Sequence, residues 1–185
     1  MSDAPKRLAV MAPMKPELKA IVKAMALQPT SGDDVFSHAG RVGQWSVGAL
    51  VTGMGPALAK EATKRALGTG PTDHVMVIGI AGGLSPDLPV GALQVPRRVA
   101  LYPDGPEFHS HPLQGRTASG GLMTTEGLFD DDTIWRPILE RGFGAVDMEA
   151  AGVAEVCEEA GCPGPSTAAS ATGRTSTSST RPCSG

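Results

Sequence analysis

The chain has 185 residues, 41% of them hydrophobic and 19% charged, with a formal net charge of −3. This length suits one domain with a substantial core and is short for two, and the interspersed charge gives no basic face for nucleic acid. No apolar run approaches the roughly 20 residues that span a bilayer, and MSDAPKRLAV at the N-terminus carries no secretory signature, so a cytoplasmic protein that contacts neither membrane nor nucleic acid is expected.

In chain order, Leu8–Ala12 is a short apolar strand ending at Pro13. Leu18, Ile21, Val22 and Met25 recur at helical spacing and predict a helix from about Lys15, with Pro16 suited to its first turn. Glu17 falls in that turn, where the helix dipole favours an acid, so the position has an ordinary structural explanation. Lys15, Lys19 and Lys23 fall on the wet side of the helix. Gln28–Asp34 is polar and turn-rich, and Val35–Ala39 and Trp45–Thr52 predict two strands joined through Gly40–Gln44. The second strand runs into Thr52-Gly53-Met54-Gly55-Pro56, and Pro56 opens a helix to about Leu67 with an alanine face at 57, 59, 62 and 66. Neither a Walker loop nor a dinucleotide fingerprint is completed there, which disfavours a phosphate cradle and leaves a glycine loop facing a small ligand open.

The stretch Val75–Leu84 is a continuous apolar run that breaks into Gly79, Gly82 and Gly83. It predicts a strand buried on both faces, turning sharply at the glycines, with a ligand beyond its carboxyl end near Ala81–Gly83. Ser85–Val90 is a loop, Ala92–Val95 a short strand, and Pro96–Ser119 an irregular, proline-interrupted segment. His109 and His111 in that segment have no acidic or cysteine partner at ligand spacing and predict solvated loop histidines, with no metal. Gly120–Thr125 is strand-like, Asp130–Asp132 starts a helix through Leu139, and Phe143–Asp147 is a further strand. A helix follows with Val153, Val156, Cys157 and Ala160 buried and Gly161 as its cap. Glu149, at the start of that helix, stands among Met148, Ala150, Ala151 and Gly152, where a carboxylate is costly to bury unless it accepts strong hydrogen bonds. Two vicinal sugar hydroxyls would supply them. Cys157, Cys162 and Cys183 match no zinc or redox spacing and read as free thiols.

Four segments, in this order and spacing, resemble the nucleoside phosphorylase/nucleosidase superfamily and most of all its methylthioadenosine/S-adenosylhomocysteine nucleosidase branch. They are Ala12-Pro-Met-Lys-Pro-Glu17, Thr52-Gly-Met-Gly55 with its alanine-rich helix, Gly79-Ile-Ala-Gly-Gly-Leu84 and Val146-Asp-Met-Glu-Ala-Ala151. The resemblance covers roughly Leu8 to Pro163. It implies an α/β fold, a three-layer α/β/α sandwich around a mixed, largely parallel sheet. It also implies a hydrolase that cleaves the N-glycosidic bond of a 5′-modified adenosine, without a cofactor. Glu149, with Met148, would bind the ribose hydroxyls, and Glu17 would orient and deprotonate the attacking water. Ala81 and Gly82 would line the sugar and base side, Leu128 and Phe129 would pack on the purine, and Met54 would form an apolar wall. Water is the implied co-substrate because Met14-Lys-Pro-Glu17 holds no arginine. Phosphate, reached by Lys15, Arg97 or Arg98, is the alternative, and homodimers common in the family make a second copy an implied partner.

The resemblance stops at Pro163. The family continues with a buried strand and a Ser-Asp pair whose aspartate protonates the purine, whereas residues 164–185 hold eleven Ser or Thr among 22 residues and no Asp or Glu. Composition therefore predicts an incomplete domain over 1–163, with its last strand and helix missing, and a disordered low-complexity tail over 164–185. With GC-rich codons, Thr167–Thr172 read from the third base gives Arg-Gly-Ile-Ser-Asp, so the tail reads as a frameshift of the family's ending. An impaired enzyme or a nucleoside-binding remnant without turnover is the corresponding expectation. A dinucleotide-binding oxidoreductase is disfavoured by the missing glycine fingerprint.

Overall fold

The computed structural model describes residues 5–32, 34–85, 88–113, 115, 117–127, 132–162 and 166–172, the last seven as backbone only. Eleven strands and four helices are described: β1 (Lys6–Ala12), α1 (Lys15–Met25), β2 (Gln28–Pro29), β3 (His38–Val42), β4 (Trp45–Val51), α2 (Pro56–Gly68), β5 (His74–Gly83), β6 (Leu93–Gln94), β7 (Arg98–Leu101), β8 (Glu107–His109), β9 (Gly121–Thr124), α3 (Asp132–Glu140), β10 (Phe143–Asp147), α4 (Ala150–Glu159) and β11 (Ser166–Thr172). They form one mixed sheet in the order β2-β3-β4-β1-β5-β10-β9-β7-β8, with β11 joined to β5 and β6.

The apolar runs account for the layers. β1 is parallel to both β4 and β5, and its Leu8, Val10 and Ala12 pack on Leu18 and Ile21 of α1. Its alternate residues Ala9 and Met11 join Val75 and Val77 of β5, Ala59, Ala62 and Ala66 of α2, and Val153 and Cys157 of α4. Alternation along one strand thus feeds two helical layers, as a sheet covered on both faces requires. Small residues let α2 and α4 approach closely: a Cβ on Gly152 would stand 2.4 Å from the carbonyl oxygen of Pro56. Lys60 of α2 and Glu155 of α4 close the same interface at 2.6 Å. A second core holds Ala81, Val99, Phe108, Leu122, Ala145 and the first residues of α4.

Several expectations are corrected. The β3–β4 hairpin turns at Gly43 (φ +56°) and Gln44 rather than through Gly40–Gln44. Gly40 lies in the strand opposite Val47, where a Cβ would press to 3.0 Å from Leu27. The glycines of β5 do not turn the chain, since the strand continues through Gly83. They permit close approach instead, a Cβ at Gly79 meeting Glu17 and Pro13 at 3.1 Å and one at Gly82 meeting Val146 at 3.0 Å. The segment expected to be irregular contains β7 and β8, paired antiparallel around buried Val99 and Phe108. Finally, a strand does follow Pro163: β11 runs parallel to β5 from Ser166↔Met76 to Thr172↔Gly82. Composition argued against it because the segment lacks large apolar side chains, but ladder pairing uses main-chain groups that every Ser, Thr and Ala possesses.

Among the described residues, no helix is long and apolar enough to cross a membrane. No group of three His, Cys, Asp or Glu side chains that could hold a metal occurs among them either. His109 is exposed in β8, and His111 is close enough to the buried His74 to lower its pKa further.

Candidate active site

The parallel strands β1, β4 and β5 end side by side, Ala12 pairing with Val51 and Met11 with Val77. Loops leaving the carboxyl ends of such strands are where open α/β sheets bind ligands. Three sequence-distant segments meet there. Pro13 and Pro16 flank the start of α1, and Glu17 accepts hydrogen bonds from the N–H of Met14 at 2.7 Å and from the N–H of Ile80 at 2.8 Å. The first of these caps the helix, as its position in the sequence predicts. The second is a bond to β5, 63 residues away, made with a carboxylate only 8% exposed.

Glu149 sits at the junction of β10 and α4 and is 4% exposed. Its Oε1 accepts from the N–H of Gly55 at 2.8 Å and its Oε2 from the N–H of Met148 at 3.3 Å. Gly55 has φ +102° and Gly53 φ +86°, left-handed conformations that place the Gly55 N–H at the head of α2 and aim it at this carboxylate. Burial pushes the Glu149 carboxyl up to about 7; the Gly55 bond opposes this, and the charges of Asp147 and Glu17 push it higher. The charge of Glu17 acting on Glu149 places the two carboxylates in one electrostatic neighbourhood.

Asp147, two residues before Glu149, is buried, and burial raises its pKa to about 6. Its Oδ1 accepts from Thr124 Oγ1 at 2.6 Å and its Oδ2 from the N–H of Ala150 at 2.9 Å. Thr124 Oγ1 in turn accepts from the N–H of Ala151 at 2.9 Å. These bonds satisfy two of the free N–H groups in the first turn of α4 and fix the backbone that carries Glu149.

The other sequence-predicted residues fall as follows. Met54, between the two positive-φ glycines, is 60% exposed, and Met148 is half-buried. Ala81 and Gly82 are part of the sheet interior, Ala81 in the core beside Val99 and Gly82 against Val146. Leu128 and Phe129 lie outside the described residues. Ile80, 50% exposed, was not singled out from the sequence, yet its N–H holds Glu17. Nor were Gly55, Asp147 and Thr124, although Asp147 adjoins Glu149 in the Val146–Ala151 segment and Gly55 completes the Thr52–Pro56 turn. Arg98 is engaged elsewhere, with Glu107 at 3.1 Å, the carbonyl of Arg141, and the ring of Phe143 at 4.3 Å. Arg97 is exposed at the start of the same region.

The profile of the phosphorylase superfamily matches residues 7–125, the span that supplies Glu17, the 53–55 loop and β5. The chain belongs to the phosphorylase superfamily. Its fold is also that of solved structures related to it at low identity. One is the Streptococcus pyogenes S-adenosylhomocysteine nucleosidase in complex with 5-methylthiotubericidin (TM-score 0.78, 16% identity, 91% of this chain and 84% of that one). Another is the Colwellia psychrerythraea 5′-methylthioadenosine/S-adenosylhomocysteine nucleosidase in complex with adenine (0.75, 21%, 91% and 84%). A third is the Helicobacter pylori futalosine hydrolase (0.77, 17%, 93% and 86%). No curated protein sequence matches this superfamily member.

Proposed function

We propose that the chain is an N-glycosyl hydrolase of purine nucleosides, acting on a 5′-modified adenosine of the methylthioadenosine or S-adenosylhomocysteine type. The observation that carries the proposal is the pair of buried carboxylates, Glu17 and Glu149, brought to the ends of β1, β4 and β5 and each held by a main-chain N–H, with the charge of Glu17 felt at Glu149. The superfamily and the nucleosidase names of the similar structures support it.

In this reading Glu149, with the adjoining Met148, accepts hydrogen bonds from the ribose diol. An ionised carboxylate accepts from both hydroxyls, so nucleoside affinity rises as pH passes through about 7, where this group titrates. Glu17 takes a proton from the attacking water. As the glycosidic bond breaks the sugar becomes oxocarbenium-like, and the two negative charges stabilise the positive charge that develops. Met54 and Ile80 form apolar walls beside the two N–H donors.

Departing adenine also needs a proton, and residues 164–185 contain no Asp or Glu to give one. That composition supports a second reading, a nucleoside-binding protein with weak or no turnover. Adenine release from methylthioadenosine by the full 185-residue chain, followed with and without phosphate, separates these readings. Hydrolysis gives phosphate-independent release that falls about 10²–10⁴-fold in Glu17→Gln while nucleoside binding persists. Binding without release establishes the second reading, and phosphate-dependent release refutes hydrolysis.

A further inference from the structure

A cavity of about 580 Å³ opens between α1 and the β3–β4 hairpin, and neither carboxylate of the candidate active site lines it. Leu18 and Val22 of α1 form one wall, and Val35, Leu50 and Val51 give it an apolar interior. Lys15 and Lys19, one helical turn apart, stand on the same wall, with Ser37 and His38 across from them. The volume lies in the range that takes a small organic molecule.

Its charge is one-sided. Lys60, Lys64 and Arg98 have acidic partners, while Lys15 and Lys19 have none among the described residues. The acid of α1, Glu17, is not a lining residue, and both its oxygens already accept main-chain N–H bonds. On a chain of net charge −3, an apolar hollow rimmed by two ammonium groups without an acidic partner among the described residues is a local exception. We infer that this cavity binds a small carboxylate with an apolar body, such as a medium-chain or aryl acid. The apolar body fills the space over Leu18, Val22 and Val51, and the carboxylate meets Lys15 and Lys19. The site goes beyond the proposed nucleoside chemistry and shares no residue with it.

Sodium decanoate is the probe, with decanol as its uncharged counterpart, titrated calorimetrically into the full chain below the aggregation threshold of either. The expected result is saturable one-to-one binding of decanoate, about tenfold tighter than decanol, with that advantage lost in Lys15→Gln/Lys19→Gln. Both lysines are exposed, so the double variant keeps its fold, which its melting curve checks. Val22→Trp places an indole across the apolar wall and is expected to weaken binding of both probes. Equal affinity for decanoate and decanol, an unchanged isotherm in the double lysine variant, or non-saturable uptake that persists in Val22→Trp would each overturn the assignment.

Discussion

Replacing Glu149 by Gln tests the electrostatics of the candidate site through stability alone. The carboxyl is shifted from an ordinary 4.5 to about 7, with burial as the largest cause. Between those values the folded protein keeps a proton that the unfolded chain releases. Stability therefore falls as pH rises from about 4.5 towards 7 and stays at the lower level above it. At 1.36 kcal/mol for each tenfold change, the contribution amounts to roughly 3 kcal/mol. Glutamine is neutral throughout, and its carbonyl can still accept the Gly55 N–H. Asp147, raised to about 6 by its own burial, titrates in both proteins and largely cancels in the comparison. Urea unfolding of the two proteins should find Glu149→Gln more stable by as much as about 3 kcal/mol at pH 8, with most of that advantage gone at pH 5. The same variant should bind nucleoside poorly, because its amide cannot accept two hydroxyls as a carboxylate does. A stability difference independent of pH would refute the claim that this carboxylate is ionised at a cost. It would also remove the reason for expecting a ligand diol to relieve that cost.

Two other substitutions probe the support of that residue. Gly152→Ala puts a methyl group 2.4 Å from the Pro56 carbonyl oxygen, so α2 and α4 must separate. A loss of about 1–3 kcal/mol is expected in denaturant unfolding, and an unchanged midpoint would contradict the packing described. Thr124→Val removes the donor to Asp147 and the acceptor of the Ala151 N–H together. It should cost about 1–3 kcal/mol and move the Asp147 titration, followed by carboxyl-carbon NMR, upward, since the Thr124 bond now holds it down.

Helices and central strands were legible because each carries its own apolar pattern: Leu18, Ile21 and Val22 mark α1, and Val75–Val77 mark β5. Local pattern fails where pairing decides the outcome. β7 and β8 are three to four residues long and stand between proline-rich turns, so neither shows a period, yet together they bury Val99 and Phe108. Gly79 and Gly82 signal a close approach as readily as a turn, and only the positions of Glu17 and Val146 tell which. At the site, Glu17 and Glu149 stand out as acids in apolar or helix-starting surroundings. Their partners do not, because the bonds to Ile80 and Gly55 span 63 and 94 residues and are set by strand order.

Both acids are tethered to peptide N–H groups, at Ile80 and Gly55, which survive almost any replacement of the side chains nearby. The exposed side chains of Met54 and Ile80 can therefore be exchanged without unseating either carboxylate. Such an arrangement leaves the side chains at 54 and 80 free to vary, while proline at 80, which would delete the amide hydrogen itself, is the change this scaffold should not tolerate.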